Sequence, residues 1–97
     1  MTEKFSRYDS ADYIKTDEDM ALYFATCLEE NDPALITHAL GVIARAKGMT
    51  QLARDTGLTR EGLYKALSAD GNPEFTTVMK VIHALGLRLH ATTAPVV

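Results

Sequence analysis

The residues best suited to bind a partner lie close together in the second half of the chain. Between residues 59 and 68, polar side chains recur at the spacing of one helix face, and Leu63 and Leu67 mark the opposite face. The outer face carries a mixed polar and basic set: Arg60, Glu61, Tyr64, Lys65 and Ser68. Arginine can donate two parallel hydrogen bonds to a guanine edge, and lysine can contact guanine or phosphate. A helix with this face would therefore suit the major groove of double-stranded DNA.

A second set of candidate contacts lies at the starts of predicted helices. Thr50, Gln51 and Thr59 stand where polar side chains and backbone amides commonly bind phosphate. Between residues 45 and 65 the chain holds five basic residues and two acidic ones, which favours a polyanionic partner. The alternative is an ordinary helical hairpin with a solvated polar face, and spacing alone leaves that alternative open.

No arrangement of residues in the sequence favours catalysis, a metal or a cofactor. His38, His83 and His90 have no acidic or cysteine companion at the spacing of metal ligands. The sequence also contains no glycine-rich phosphate loop and no nucleophile motif. The single cysteine, Cys27, falls on an apolar helix face and is predicted to fill the core. We therefore expect a protein that is not an enzyme and uses no metal or cofactor.

Five helices are predicted to position the candidate residues. Thr16, Asp32 and Thr59 are side-chain types that cap helix starts, and Pro33 suits the first turn of a helix. The predicted helices run over residues 17 to about 31, 33–47, about 49–56, 60 to about 68 and about 75–85.

The turn between the third and fourth helices defines the motif. Gly57 can take the positive φ that a tight turn needs, so residues 49–68 are predicted to form a helix-turn-helix. Apolar residues of all five helices are predicted to share one core: Met20, Phe24, Cys27, Leu28, Leu35, Ile36, Ala39, Leu40, Val42, Ile43, Ala46, Leu52, Ala53, Leu58, Leu63, Leu67, Phe75, Val78, Val81, Ile82 and Leu85. The predicted fold is all-α, with one domain over residues 16–97 after a flexible N-terminal segment, 1–15.

Beyond Gly86 the pattern changes from helix to strand. Apolar residues at 87, 89 and 91 alternate with polar ones, which predicts a short strand over residues 87–92. A lone strand in an all-α domain has an unpaired edge, which a second copy of the chain can pair with across a dimer axis. The residues expected at this homodimer interface are Val81, Leu85, Leu87 and Leu89.

Length and composition exclude several classes of protein. A chain of 97 residues is long enough for one domain with one modest core. No apolar stretch reaches the roughly 18–20 residues of a membrane span, and the N-terminus lacks the apolar run of a secretory signal. A single cysteine cannot form an internal disulfide and is typical of a reducing compartment. We therefore expect a cytoplasmic protein that has no membrane partner.

Charge is divided unevenly along the chain. Residues 1–36 hold nine acidic and three basic residues, whereas residues 37–97 hold seven basic and four acidic residues. A chain polarised in this way often binds a polyanion with one part and a basic partner with the other. A solvated acidic face with no partner would produce the same imbalance.

A series of motifs between residues 36 and 89 resembles a known family. They are KGMTQLAR at 47–54, GLTREGLYKALS at 57–68, GNPEF at 71–75, VMKV at 78–81 and HALGL at 83–87. The N-terminal run YIKTDEDMALY, at 13–23, is similar to the leader of the same family. On these motifs the chain resembles the HigA-like addiction-module antidotes, which are antitoxins of the Xre/Cro-type helix-turn-helix superfamily.

The resemblance implies a small dimeric repressor encoded beside a RelE/ParE-like toxin. Such antidotes mask the toxin and bind an inverted repeat in the double-stranded DNA of their own promoter. The toxin is usually basic, so the acidic segment 1–32 is expected to cover it. The candidate toxin contacts are Tyr8, Tyr13, Asp17, Glu18 and Tyr23. The alternative contact is the strand at 87–92, added to the edge of a toxin sheet.

Two other functions are compatible with the sequence. One is an interaction module that masks the toxin but no longer binds DNA, and the other is a stand-alone phage-type repressor without a toxin. The chain departs from the family pattern at Gly48, near the start of the third helix, and at Gly62. Gly62 stands where a larger polar residue is more usual, and it lowers helix propensity by about 1 kcal/mol.

Overall fold

Five α-helices and one short 3-10 helix form the regular structure of residues 10–94, the part of the chain that this computed structural model describes. The 3-10 helix spans Ser10–Tyr13, and the α-helices are α1 (Asp17–Leu28), α2 (Pro33–Lys47), α3 (Met49–Thr56), α4 (Arg60–Ala66) and α5 (Phe75–Ala84). The predicted all-α class and the number of helices are confirmed for these residues. None of the described helices is long and apolar enough to cross a membrane.

The start of α1 is fixed by reciprocal hydrogen bonds between two side chains and the backbone. The Thr16 hydroxyl accepts from the backbone N–H of Asp19 at 3.0 Å. In return, Asp19 Oδ2 accepts from the backbone N–H groups of Thr16, at 3.2 Å, and Lys15, at 3.0 Å. This capping box satisfies backbone donors that the first helical turn leaves without partners. It confirms Thr16 as the predicted N-cap.

The start of α2 is capped by an acidic side chain. Asp32 Oδ1 accepts from the backbone N–H of Ala34 at 3.0 Å, and Pro33 occupies the first helical position. Proline costs the helix nothing there because its missing N–H would have no helical partner. The predicted cap at Asp32 is therefore confirmed.

Helix α2 lies at the centre of the fold. Its residues 39–44 are all buried, and it packs against α1, α3 and the 3-10 helix. Helix α3 in turn packs against α4 and α5. The core joins apolar side chains from all five α-helices: Met20, Phe24, Cys27, Ala39, Leu40, Ile43, Ala44, Met49, Leu52, Leu63, Leu67, Val81, Ile82 and Leu85. Burial of Cys27 confirms its predicted place in the core.

Gly41 allows α2 to lie close to the end of α4. A Cβ at this position would lie 3.1 Å from the carbonyl oxygen of Leu67 and 3.7 Å from its Cβ. Glycine inside a helix costs about 1 kcal/mol relative to alanine. The close approach of Leu67 explains why glycine stands in the middle of α2. Sequence periodicity did not reveal this role, because the contact joins residues that are far apart in the chain.

Three helices end earlier than the sequence predicts. Helix α1 ends at Leu28, and Asn31 adopts a left-handed conformation with φ 54° in the turn before α2. Helix α4 ends at Ala66, where the prediction is about Ser68, and α5 ends at Ala84, one residue before the predicted end at about 85. Turns and caps occupy the last positions of these predicted helices, and such boundaries cannot be read from apolar spacing alone.

Gly71 packs against the end of α4. Its backbone N–H donates to the carbonyl oxygen of Ser68 at 2.9 Å. A Cβ on Gly71 would lie 2.8 Å from the carbonyl oxygen of Lys65 and still closer to that of Ala66. The loop before α5 can therefore lie against α4 only with glycine at this position.

The first residue of α5 is not in the core. Phe75 was predicted to be buried because it shares the helical spacing of the apolar residues at 78, 82 and 85, yet it is 70% exposed. Helix side chains lean towards the N-terminus, so a residue in the first turn projects past the end of the helix. The spacing rule therefore failed at this helix end.

Two of the predicted dimer contacts are core residues of the single chain. Val81 is fully buried and Leu85 is 3% exposed, so neither side chain can reach a second copy unless the core opens. Leu87 is half-buried and Leu89 is 38% exposed. Residues 87–94 form neither a helix nor a paired strand within the described chain. A strand at 87–92 that pairs with a second copy therefore stays a prediction.

Candidate nucleic-acid interface

A three-residue turn sets the orientation of α3 and α4. Gly57 adopts the left-handed conformation, with φ 77° and ψ 9°, and its N–H donates to the carbonyl oxygen of Ala53 at 3.0 Å. The Thr56 hydroxyl then accepts from the backbone N–H of Leu58 at 3.3 Å. A residue with a side chain is strained at this positive φ, so glycine suits the turn. The predicted turn at Gly57 is confirmed.

Helix α4 has one buried side and one exposed side. Leu63 is fully buried and Leu67, just after the helix, is 7% exposed, so these two residues hold α4 against the core. The opposite side exposes the side chains that the sequence predicted to face outward: Arg60, Glu61, Tyr64 and Lys65. Ser68 is also exposed, but it lies beyond the end of the helix.

The side chains of Arg60 and Tyr64 contact each other on the exposed side of α4. The guanidinium carbon of Arg60 lies 5.1 Å from the centre of the Tyr64 ring, a cation–π distance. Arg60 Nη2 also donates a long hydrogen bond, 3.4 Å, to the Tyr64 hydroxyl. The contact restricts the arginine to one side of the helix before any partner binds, which lowers the entropy lost on binding.

Thr59 caps α4 and still has a donor to offer. Its hydroxyl oxygen accepts from the backbone N–H of Gly62 at 2.9 Å, which confirms it as the N-cap. A hydroxyl group can accept one hydrogen bond and donate another at the same time. Thr59 can therefore hold the helix start and also donate to a phosphate oxygen.

Gly62 lies against this cap. A Cβ at position 62 would lie 2.8 Å from the Thr59 hydroxyl oxygen, so the hydroxyl would have to shift to admit a larger residue. The conformation of Gly62 itself does not demand glycine, since its φ is not in the left-handed range. Glycine at this position thus has a local steric consequence.

The polar side chains of α3 bind one another. Gln51 Nε2 donates to Asp55 Oδ1 at 2.9 Å, and Arg54 Nη1 donates to Gln51 Oε1 at 3.3 Å. All three side chains are exposed, so this row can rearrange in the presence of a phosphate. Thr50 is exposed beside them in the first turn. Gly48 precedes that turn and supplies no side-chain cap to its backbone N–H groups.

Ser68 lies where the chain leaves α4. Its hydroxyl donates to the carbonyl oxygen of Lys65 at 2.9 Å. That bond uses the only hydrogen of the hydroxyl, so Ser68 can meet a partner as an acceptor or after rotation. Ser68 is therefore a less suitable candidate for contact with DNA than Arg60 or Lys65.

The residues predicted to contact a toxin lie partly around one surface cavity. Tyr8 lies outside the described residues. Tyr13 is 64% exposed and Tyr23 is half-buried, and both line an open cavity of about 340 Å³ beside α1. Asp17 is exposed and lies 3.6 Å from Lys47 Nζ at the end of α2, and Glu18 is exposed.

One side chain that lines this cavity, Leu22, is not predicted from the sequence. Leu22 is 70% exposed and lines the cavity together with the two tyrosines, Ile14 and Asp19. The buried residues of α1 are Met20, Phe24 and Cys27, so Leu22 lies off the apolar face. The available signal was the presence of a large apolar residue on the polar side of an amphipathic helix.

Comparison with known proteins identifies the class. A family model described as "probable addiction module antidote protein" matches residues 4–93, which include both the cavity and the exposed side of α4. The chain therefore belongs to the family of probable addiction module antidote proteins. It is also 52% identical over 88 residues to a protein of Haemophilus influenzae strain Rd that is named only as an uncharacterized protein, with 91% of each chain covered. No solved structure matches the chain.

Family membership supports an antitoxin role for the chain and implies a cognate toxin as its partner. Within residues 10–94, no three His, Cys, Asp or Glu side chains come together in a way that could hold a metal ion.

Proposed function

We propose that this chain is the antitoxin of a type II toxin–antitoxin module. It neutralises a RelE/ParE-like toxin and represses its own operon by sequence-specific binding to double-stranded DNA. The antitoxin half of the proposal rests on the match to the antidote family over residues 4–93. The repressor half rests on the geometry of α3 and α4.

The observation that carries DNA binding is the division of α4 into two sides. The leucines on one side are buried in the core, while Arg60, Tyr64 and Lys65 are exposed on the other. In the proposal, α3 and α4 form a helix-turn-helix of the Xre/Cro type, and α4 enters the major groove. Arg60 reads a base edge, Lys65 contacts guanine or phosphate, and Tyr64 holds Arg60 or contacts a thymine methyl group.

Contacts to the DNA backbone fall to the helix starts. Thr59 donates its hydroxyl hydrogen to a phosphate, and Thr50 and Gln51 bind a neighbouring phosphate from the first turn of α3. Glu61 is exposed on the same side and would repel phosphate, so it pairs with Arg60 or Lys65 or accepts from a cytosine amino group.

A homodimer would match the symmetry of an inverted repeat. Because Val81 and Leu85 are core residues, the exposed large apolar side chains of α5 that remain for a second copy are Phe75 and Met79. They are four residues apart and therefore lie on one side of the helix. Leu87 and Leu89 can extend this contact if the C-terminal segments of two copies pair as strands.

Operator binding by the full chain tests the repressor half. Affinity for the DNA upstream of its own reading frame is measured over a series of salt concentrations. We expect Arg60→Ala to weaken specific binding by about 1–3 kcal/mol. We expect Lys65→Ala to reduce the slope of log affinity against log salt concentration by about the amount that one phosphate contact contributes. Lys80→Ala is the matched control, because Lys80 is an exposed lysine on α5 outside the proposed DNA interface.

Two results would contradict the repressor half. If Arg60→Ala and Lys65→Ala bind the operator as well as the natural chain does, α4 is not the recognition helix. If the natural chain binds DNA weakly and without dependence on salt, it makes few phosphate contacts and serves only to mask the toxin. The alternative function, a stand-alone phage-type repressor, requires operator binding but no toxin encoded by the neighbouring reading frame.

A further inference from the structure

The cavity beside α1 combines apolar walls with one acidic group. Tyr13 and Ile14 come from the end of the 3-10 helix and the residue after it, while Asp19, Leu22 and Tyr23 come from α1. Its volume of about 340 Å³ is large enough for a long side chain. The cavity is open to solvent, so a partner can enter it without rearranging the helices.

Two of the large, mostly apolar side chains that line the cavity are exposed to solvent. Leu22 is 70% exposed and Tyr13 is 64% exposed. Burying such surface in a complex is favourable by roughly 25 cal/mol per Å² of apolar area. Neither side chain belongs to the hydrophobic core, to which α1 contributes Met20, Phe24 and Cys27. They are therefore available to a partner.

The charge around the cavity selects the chemistry of that partner. Residues 10–32 contain seven acidic side chains and one basic side chain, Lys15. Asp19 is part of the cavity wall, and backbone N–H groups of Lys15 and Thr16 lower the pKa of its carboxyl group. A nucleic acid or an acidic protein would be repelled here. An arginine or lysine side chain would be attracted by the carboxylate and can also stack on a tyrosine ring.

We infer that this cavity binds an arginine or lysine side chain of the toxin, with Tyr13 and Leu22 packing on its aliphatic part and Asp19 facing its charge. The identification of the partner as the toxin rests on the proposed function. The cavity's preference for a cationic side chain rests only on its walls and its charge.

A titration with a small probe tests the preference directly. The amide signals of the full chain are followed by NMR while N-acetyl-arginine amide is added, and separately N-acetyl-citrulline amide, which has nearly the same shape and no charge. We expect saturable shifts for residues 13–23 with the arginine compound only. Residues 29–32 are an internal control, because they hold three acidic side chains and do not line the cavity. Equal shifts with both compounds, or equal shifts at 29–32, would overturn the inference.

A charge variant tests the partner. Leu22→Lys places a cation in the cavity, whereas Ala25→Lys adds the same charge at an exposed position of α1 outside it. Like charges opposed across an interface are repelled. When the basic protein encoded by the neighbouring reading frame is used as the partner, we expect Leu22→Lys to raise Kd about tenfold or more and Ala25→Lys to change it little. Both replaced residues are exposed, so circular dichroism should show folded chains.

The outcomes separate this inference from the proposed function. If the natural chain binds the neighbouring protein and Leu22→Lys binds it equally well, the antitoxin role holds and the inference about the cavity is overturned. If the natural chain does not bind that protein, the proposed function fails and only the titration decides the cavity's preference. If Leu22→Lys instead converts a dimer of the chain into monomers, the cavity is a contact between copies and the inference is overturned.

Discussion

At the scale of single residues, Thr59 has two tasks in this account. Its hydroxyl oxygen caps α4 by accepting from the N–H of Gly62 at 2.9 Å, and its hydrogen remains for a phosphate. Gly62 leaves this hydroxyl where it is, whereas a Cβ there would lie 2.8 Å from the capping oxygen and require it to shift. The low helix propensity of glycine is therefore offset by an undisturbed helix start.

A double-mutant cycle on these two residues tests the coupling. We expect Thr59→Ala alone to lower the free energy of unfolding by about 1 kcal/mol through loss of the cap. In the chain that lacks the cap, Gly62→Ala should raise the free energy of unfolding by about 1 kcal/mol, because alanine is the better helix former. In the natural chain the same Gly62→Ala change should gain clearly less, since the new methyl group displaces the hydroxyl. Urea unfolding of the four proteins measures this difference.

An additive cycle would contradict the steric coupling between Thr59 and Gly62. Equal effects of Gly62→Ala with and without the Thr59 hydroxyl would mean that the cap tolerates a side chain at position 62. The family departure at Gly62 would then have no explanation in the helix start.

Single residues differ in how far the sequence predicts them. The caps at Thr16, Asp32 and Thr59 were predicted correctly, because each depends on residues within three positions along the chain. Gly41 was missed because its reason is Leu67, on another element. Phe75 was predicted wrongly because helical spacing carries no information about where the neighbouring elements end.

At the scale of secondary-structure elements, the start of α1 depends on ionised Asp19. The backbone N–H of Lys15 is the main cause that holds the pKa of this carboxyl group below its ordinary value of 3.8, and Thr16 adds to it. Because the pKa is lower in the folded chain than in the unfolded chain, the capping box stabilises the fold above the ordinary carboxyl value. This contribution is lost as the pH falls from 3.8 through the lower pKa of the folded state.

Replacing Asp19 by a residue that does not titrate tests the direction of this pH dependence. Asp19→Asn keeps a side-chain oxygen that can accept hydrogen bonds but carries no charge. We expect the variant to be less stable than the natural chain at neutral pH, and the difference to shrink as the pH falls below 3.8. Thermal unfolding measured across this range gives the difference. A gap that stays constant or widens in acid would show that the charge of Asp19 does not stabilise α1.

Elements are predicted best where their signals are local. The bounds of α3 agree with the structure because Gly48 and Gly57 mark both of its ends. The end of α4 was placed two residues too late, since the turn after it depends on the packing of Gly71 against α4. The 3-10 helix Ser10–Tyr13 falls within the segment 1–15, where no periodicity was visible in the sequence. The strand at 87–92 needs a second chain, so a single chain cannot test it.

At the scale of the whole molecule, two surfaces of different chemistry belong to different elements. The cavity beside α1 lies in the part of the chain that is rich in acidic residues, and the exposed side of α4 lies in the part with an excess of basic residues. The ion pair that joins these parts from Asp17 to Lys47 is between exposed side chains and contributes at most about 1 kcal/mol.

The cavity beside α1 was only partly predictable from the sequence. Charge counts along the chain indicate a basic partner, and the sequence predicts Tyr13 and Tyr23, which both line the cavity, as contacts of that partner. Leu22 could not be assigned, because a single apolar residue on a polar helix face is common on protein surfaces. Only the three-dimensional arrangement shows that it shares a cavity with the tyrosines and Asp19.

The antitoxin role is tested most directly by co-expression with the neighbouring small reading frame. The neighbouring protein is induced in cells with and without this chain, growth is recorded, and the two proteins are purified together. The account predicts that the neighbour alone stops growth, that this chain restores it, and that the two proteins purify as a stable complex. A neighbour that is harmless alone and does not purify with this chain would contradict the antitoxin role and leave a stand-alone repressor.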